Sequence, residues 1–362
     1  MDFADTAEQA ALREAVRAFA GRHAGREQVR ATMASPDGYD LKVWERLTGE
    51  LGLTALAVPE RHGGAGAGPR EVAVAVEELG RVLLPSPYLS SAVTALTLTR
   101  AAEDGDGAAA AERYLPGLAD GSVIGALALD ADATAADGTV SGVARHVVDG
   151  AVAGLLLVRC DDRLLAVAAA DATVEPLDTL DQTRRQATAR FDCAPALAAG
   201  SAAAALALHR VLLAAECSAA AEHCLGVTVD YLKTRRQFGR PIGSFQALQH
   251  RAADLAVAVT AARATAQAAV WTAAADPAAL APLAPLAALH CSRTFRQTAA
   301  EMIQLHGGIG FTWEHEAHLY FKRATATQLL LGPVGALRTE IGREAGLLPG
   351  PSGRDEIGRG SA

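Results

Sequence analysis

The sequence predicts an α+β fold that is mostly α, with a helical region, a β region and a second helical region in order. Apolar and charged residues recur at helical spacing in 1–111 and again in 201–348. Between them, residues 112–200 form short apolar or β-branched segments separated by Gly and Asp, as in a small antiparallel sheet domain. Residues 349–362 are rich in Gly, Pro and Ser and are predicted to be a disordered tail.

The N-terminal region is predicted to contain several helices joined by a glycine-rich loop. Residues 7–22 and 41–53 are amphipathic, and helical periodicity resumes at Glu71 and stops before Pro85. The glycines of 63–68 could suggest a phosphate loop, but the Lys-Ser/Thr ending and the preceding strand are both missing. We therefore interpret this segment as a connection between helices.

The C-terminal region is predicted to be a four-helix bundle. Its helices are expected at about 202–235, 244–275 and 286–306, with a fourth that begins near Glu316. Within 252–275, apolar residues run nearly all round the helix, so this helix should be buried on several sides. That pattern predicts an oligomer, at least a dimer.

Composition excludes several classes of protein. The chain has 362 residues, of which 50% are hydrophobic and 20% charged, so it can bury a large core and is not globally disordered. The net charge of −8 shows no basic surplus for nucleic acid. Neither an uninterrupted membrane-length apolar run nor a basic signal-peptide start stands out, so a cytoplasmic protein without membrane contact is expected.

The cysteines predict reduced, buried thiols and no metal site, because their spacing is typical of neither zinc nor redox sites. The five cysteines are Cys160, Cys193, Cys217, Cys224 and Cys291.

Three segments resemble the acyl-CoA dehydrogenase family. Residues 231–256, YLKTRRQFGRPIGSFQALQHRAADLA, and 302–324, MIQLHGGIGFTWEHEAHLYFKRA, are similar to the signatures of that family. Residues 45–66, ERLTGELGLTALAVPERHGGAG, are similar to its N-terminal domain. The resemblance covers nearly the whole chain and implies a flavoprotein that desaturates acyl-CoA, with each FAD shared between two subunits.

In this family the neighbouring subunit contacts the adenosine diphosphate half of the flavin, and the residues of that set are present here. A guanidinium at Arg235 suits a pyrophosphate, because it can donate charge-assisted hydrogen bonds. Phe238 and Ile242 would form an apolar wall, and a glycine pair lets backbone approach a ligand. The alternative interpretation is that RRQFG is only the charged end of one helix and that HGGIG is only the C-cap of another. The residues that the resemblance implies are Arg235, Gln237, Phe238, Ile242, Phe245, Gln304, Gly307 and Gly308.

The catalytic base of the family is missing at its usual place. The family carries Glu-Gly-Thr there, and this sequence has Leu331, Gly332 and Pro333. Leucine cannot accept a proton. Some members carry the base on the first long helix, where His209 stands here, and a histidine can act as a general base. The alternative is a core histidine beside Arg210, so we assign no catalytic residue beyond this weak candidate.

The flavin-ring contacts of the middle domain are also missing. The family has a Thr/Ser-Glu followed by a Gly-Ser-Asp turn, and residues 125–142 contain neither. Asp130 and Asp132 do not replace a hydroxyl donor, and Glu216 is expected to be structural. The chain thus keeps the residues that serve a neighbour's flavin and lacks those of its own site. This asymmetry predicts the non-catalytic, FAD-sharing subunit of a hetero-oligomer of the α2β2 type, paired with a homologous subunit.

Two alternatives stay open at this stage. The chain could be a self-sufficient homo-oligomeric dehydrogenase that uses His209 or a rearranged carboxylate. It could also be a flavin-free member of the fold that acts in binding or assembly. Flavin content separates the last alternative from the others, and activity of the isolated chain on acyl-CoA separates the first two. The sequence leaves the acyl chain, the electron acceptor and the pathway open, and only analogy suggests a bulky acid such as a steroid side chain.

Overall fold

The first helical region is longer than predicted. A computed structural model describes residues 3–349, so the tail predicted at 349–362 lies outside the described residues except for Pro349. Helices are found at both predicted places, and residues 63–68 form a loop. The last helix crosses residue 111, so the helical region ends at Ala119 rather than at 111. The helices are α1 (Ala7–His23), α2 (Arg26–Met33), α3 (Leu41–Gly49), α4 (Pro69–Arg81), α5 (Tyr88–Glu103) and α6 (Ala108–Ala119).

Local signals explain where two of these helices begin. The Thr6 hydroxyl accepts from the Gln9 N–H while the Gln9 side chain accepts from the Thr6 N–H, a capping box that starts α1. Helix α4 begins with Pro69, whose missing N–H costs nothing in the first turn. The Glu71 carboxylate accepts from the Gly68 N–H at 3.0 Å and completes that cap.

The β region forms a seven-stranded sheet of order β1-β4-β5-β7-β3-β2, with β6 paired to β7. Strand β7 spans 16 residues; its first part pairs with β3 and β6 and its last part with β5, so it joins the two halves of the sheet. The pairing is antiparallel except between β1 and β4, which are parallel; the prediction of a purely antiparallel sheet was wrong at this pair. The strands are β1 (Gly125–Ala128), β2 (Asp130–Ala136), β3 (Thr139–Val148), β4 (Leu155–Cys160), β5 (Arg163–Ala168), β6 (Ala172–Leu177) and β7 (Gln186–Ser201).

The C-terminal region contains the four predicted helices and one more. The fifth was not predicted and follows Pro333, which starts a helix well because its φ is already helical. A short hairpin connects the first two helices: β8 (Arg236–Gln237) and β9 (Arg240–Pro241). The helices are α7 (Ala202–Thr234), α8 (Gln246–Ala275), α9 (Leu283–His306), α10 (Ala317–Leu330) and α11 (Val334–Glu344).

Helix α7 is the central helix of the molecule. It packs against α4, α8 and α9, and its many alanines allow close helix contacts. It is the one helix in residues 3–349 long and apolar enough to cross a membrane, but 67% of its apolar window is buried inside the protein. The burial identifies it as a core helix.

One expectation about burial needs correction and another stays a prediction. Helix α8 is not covered on all sides within one chain, and Val257 on its outer face is 72% exposed. Cys193 is exposed, whereas the other four cysteines are buried as predicted, and all five are free thiols. The open face of α8 leaves room for a second subunit, and the oligomeric state stays a prediction.

Candidate functional site

The two segments predicted to bind a cofactor meet at one end of the bundle. The ring of Tyr231, in the last turn of α7, stacks on the ring of His306, the last residue of α9, with centroids 4.3 Å apart. Arg235 follows the end of α7, and Gly307 follows His306. The structure therefore brings the predicted residues of both segments to the same end of the molecule.

The hairpin after α7 folds back on the helix it follows. The Ile242 N–H donates to the Arg235 carbonyl at 2.8 Å. A Cβ at Gly243 would lie 2.9 Å from the Leu232 carbonyl oxygen, so a larger residue would push the hairpin away from the last turn of α7. This close packing fixes the position of the hairpin relative to α7.

The tip of the hairpin presents an aromatic side chain to the outside. Phe238 has a φ of +52°, a left-handed conformation that is an outlier for a bulky residue, and Gly239 follows at +78°. The Phe238 side chain is 91% exposed, and its ring is nearly perpendicular to that of Phe245, at 6.1 Å between ring centroids. Strained backbone of this kind is typical of ligand-binding positions.

The hairpin is positively charged in a chain whose net charge is −8. Arg235 and Arg236 are exposed, and neither side chain has a partner within the described residues. The Arg240 guanidinium lies over the Phe245 ring, 4.0 Å from its centroid. The Gln237 amide donates to the Arg236 carbonyl at 2.8 Å. Unpaired guanidiniums next to aromatic faces suit a ligand that combines phosphates with a planar ring.

The glycine pair after α9 leaves its backbone open. Gly307 has φ +62° and ψ −139°, a conformation that is essentially restricted to glycine. A Cβ on Gly307 or Gly308 would meet nothing within 4 Å, so this backbone faces open space. The Gln304 side chain is exposed one turn earlier and has no partner within the described residues. Exposed guanidinium and amide groups beside glycine backbone that no side chain covers fit an adenosine diphosphate moiety.

A second group of polar residues fills the junction of the three regions of the chain. The Arg323 guanidinium of α10 donates to Asp181 at 2.6 Å, to Glu216 of α7 at 2.8 Å and to the Thr183 hydroxyl at 2.6 Å. Arg184, from the loop before β7, donates to the other oxygen of Glu216. All five side chains are buried. The cluster therefore ties α7, α10 and the loop before β7 together with its charges paired.

A cavity of about 370 Å³, part of it open to solvent, adjoins this cluster. Apolar side chains of α4 and α5 line one side, and Arg184, Glu216 and Arg323 line the other. Asp149 accepts a hydrogen bond from the Ser90 hydroxyl at 2.6 Å, and burial raises the pKa of this carboxyl to about 6. Arginine, glutamate and aspartate thus occupy the space next to the cavity.

The position that carries the base in the family has no proton acceptor here. Leu331 follows α10 and is buried, and Pro333 follows in turn. His209 lies on α7, and its Nδ1 atom is buried without a hydrogen-bond partner. Burial and the nearby Arg184 lower the pKa of His209 to about 4, so its ring is neutral and weakly basic at neutral pH. Neither Leu331 nor His209 therefore supplies an efficient base at neutral pH.

Two acidic residues of the middle region, Asp130 and Asp132, lie on the surface of the sheet. Asp130 pairs with His146 at 2.9 Å on the exposed side of β2 and β3. Asp132 also lies exposed on β2. Both carboxylates face solvent rather than the junction with the bundle.

Comparison with known proteins identifies the family to which this chain belongs. The N-terminal domain of acyl-CoA dehydrogenases matches residues 6–122, and the C-terminal domain of the same family matches residues 199–346. The chain is 44% identical to the acyl-CoA dehydrogenase IpdE2 of Mycobacterium tuberculosis over 91% of this chain and 95% of that relative. The chain belongs to the acyl-CoA dehydrogenase family. Members of this family are FAD-dependent oxidoreductases of lipid metabolism.

Solved acyl-CoA dehydrogenases have the same fold over nearly their whole length. One subunit of the ChsE4-ChsE5 complex of M. tuberculosis is 28% identical, with a TM-score of 0.87 over 97% of this chain and 100% of that one. A chain of the Tcur3481-Tcur3483 steroid acyl-CoA dehydrogenase, G363A variant, is 30% identical, with a TM-score of 0.85 over 94% of this chain and 98% of that one.

Sequence reasoning missed the arginines of this acyl-CoA dehydrogenase cleft. Glu216 was expected to be structural, and its buried pairing with Arg184 and Arg323 agrees with that role. A signal for Arg323 was present, because it lies within the HLYFKRA stretch of a mostly apolar helix, where a buried charge requires a partner. That partner comes from α7 and from the loop before β7, which no local pattern could indicate.

Proposed function

We propose that this chain is the non-catalytic, FAD-sharing subunit of a hetero-oligomeric acyl-CoA dehydrogenase that works in the cytoplasm. One observation carries the proposal: the open cationic end of the bundle coexists with a leucine, Leu331, at the position of the family's base. The cationic end can serve a flavin held mainly by a neighbour. The leucine leaves this chain without the usual proton acceptor.

The relatives support this assignment. The ChsE4-ChsE5 structure is a complex of two differently named chains, and this chain has the same fold as one of them. The Tcur3481-Tcur3483 dehydrogenase likewise combines two named chains and is described as a steroid enzyme. By analogy, a homologous subunit would be the partner here, and a bulky acyl-CoA such as a steroid side chain would be the substrate.

The residues of this chain would bind and orient the adenosine diphosphate half of the flavin. The Arg235 guanidinium would donate to the pyrophosphate, while Phe238 and Ile242 would cover the apolar side. The Gln304 amide and the backbone at Gly307 would approach the same group where no Cβ intervenes. When bound, FAD accepts the hydride that leaves the acyl β-carbon. The partner would supply the carboxylate that removes the α-proton.

A matched pair of arginine variants tests the proposal. Arg235→Ala should lower the flavin content of the complex while the chain stays folded, because losing a charge-assisted contact weakens binding by roughly 10- to 150-fold. Arg293→Ala is the control, since Arg293 is exposed on α9 and has no partner within residues 3–349. The measurement is flavin absorbance per protein in the purified complex. Flavin content that is unaffected by Arg235→Ala would contradict the proposal.

The unpartnered Nδ1 of His209 favours one second candidate, a self-sufficient dehydrogenase that uses this ring as its base. General-base assistance typically contributes about 10²- to 10⁴-fold to a rate. If the isolated chain desaturates acyl-CoA at ordinary enzyme rates and His209→Ala abolishes the activity, this second candidate replaces the first.

A further inference from the structure

We propose that Arg26 and Arg30, on helix α2, are positioning residues for the loop 307–316 that carries the predicted flavin contacts. They hold the loop backbone from the N-terminal region without reaching the flavin site themselves. This inference rests on the proposed function for its effect on flavin, and on the contacts below for the positioning.

The loop is closed at its base by two histidines. The His306 and His315 rings lie 4.4 Å apart between centroids. The His306 Nδ1–H donates to the Met302 carbonyl at 2.7 Å, and His315 Nδ1 accepts from the Ala317 N–H at 3.1 Å. These contacts tie the ring at the end of α9 to the ring before α10, so the ends of the loop are fixed.

The outer part of the loop is held by arginines of α2. The Arg26 Nη1 donates to the Glu314 carbonyl at 2.7 Å. The Arg30 Nη2 donates to the Trp313 carbonyl and, at 3.4 Å, to the His315 carbonyl. Among the described residues, these three consecutive carbonyls have no backbone donor. The arginines therefore provide the hydrogen bonds that secondary structure does not.

A carboxylate adds a third attachment at the same place. Glu316, at the start of α10, lies 3.9 Å from the Arg26 guanidinium and 3.6 Å from the His223 ring of α7. The loop thus ends where α2, α7 and α10 meet. Its attachment extends from the N-terminal region into the bundle.

Apolar burial contributes little to the outer part of this loop. Phe311 is 86% exposed and Trp313 is 64% exposed, so the loop gains little from apolar contacts. A loop without such contacts must be ordered by polar ones, or it pays the ordering entropy when a ligand binds. Since Arg26 and Arg30 order the backbone beforehand, the flavin would meet Gly307 and Gly308 already in position.

Hydrogen exchange on the chain itself tests the positioning directly. Arg30→Ala should speed amide exchange in 307–316 by about tenfold or more, because hydrogen bonds from charged groups typically change local equilibria by that factor. Protection in α7 and α8 should stay unchanged. Arg22→Ala is the matched control, since Arg22 is exposed at the end of α1 and its side chain has no partner within the described residues. Equal exchange in the two variants would overturn the inference.

Flavin affinity in the complex provides the second measurement. Arg30→Ala should raise the Kd for flavin by about tenfold, whereas kcat at saturating flavin and KM for acyl-CoA should not change. Arg30→Lys should restore part of the affinity, because lysine keeps the charge and a donor. If Arg30→Ala does not fold, Arg26→Ala should show the same effects with a smaller size.

The two measurements separate this inference from the proposed function. Flavin affinity that depends on Arg235 but not on Arg30 would overturn the positioning role alone. A flavin content insensitive to Arg235→Ala would contradict the proposed function, while hydrogen exchange would still decide whether Arg30 holds the loop.

Discussion

At the scale of single residues, the buried charged side chains at the junction between the bundle and the β region are the main feature. Arg323 and Glu216 are among the least exposed charged side chains in the described residues, and the Arg323 guanidinium donates to the Glu216 carboxylate. Buried ion pairs contribute little net stability, but breaking one leaves a buried charge without its partner. The cluster is therefore expected to be intolerant of single changes.

Replacing Arg323 with methionine tests that expectation. Arg323→Met should lower the free energy of unfolding by about 3–5 kcal/mol, because Asp181 and Glu216 would lose their common partner. Urea denaturation measures the loss, with the exposed Arg293→Met as the control. A loss no larger than in the control would show that the cluster does not hold the junction together.

A second residue-scale prediction concerns pH. The pKa of His209 is lowered to about 4 in the folded chain from its ordinary value of 6.5, mainly by burial, so between these values the unfolded chain binds more protons. Stability should therefore fall as pH decreases from 6.5 to 4, by up to about 3 kcal/mol for this group. His209→Gln should make the loss over this range smaller. Asp149 has a raised pKa, so its titration makes stability change with pH in the opposite direction. The slope of stability against pH is therefore compared between the variant and the wild type in the same buffers. Identical slopes for the two would contradict the assignment.

At the scale of elements, periodicity predicted most helices and contacts across the chain decided the rest. The helices α7 to α10 follow the sequence pattern closely, since their apolar spacing is long and regular. The parallel pairing of β1 with β4 was not predictable, because it depends on which strands meet in the sheet. The start of α11 was missed, because a proline can either stop or begin a helix.

The hairpin after α7 offers a prediction at this scale. Phe238→Asn should raise the free energy of unfolding by about 1 kcal/mol, because asparagine adopts positive φ more readily than phenylalanine. The same change should weaken flavin binding, since the exposed ring is lost. Opposite signs in a thermal-unfolding assay and a flavin-binding assay are expected. A variant that loses stability would contradict the strain argument.

At the scale of the whole molecule, the sequence predicted the cofactor segments but not the cleft. The resemblance correctly indicated the family and the fold, and the predicted cofactor segments come together at one end of the bundle. The charged side of the cleft could not be predicted in the same way, because Arg184, Glu216 and Arg323 belong to distant parts of the chain. The outer face of α8, with Val257 exposed, is available for the second subunit that a shared flavin requires.

The number of flavins per chain tests the central claim most directly. Each shared site needs one adenosine half and one ring half, and this chain is proposed to supply only the former. The complex with its homologous partner should therefore contain one flavin for each pair of chains, and the isolated chain should retain little. One flavin per chain in a homo-oligomer of this protein would contradict the account.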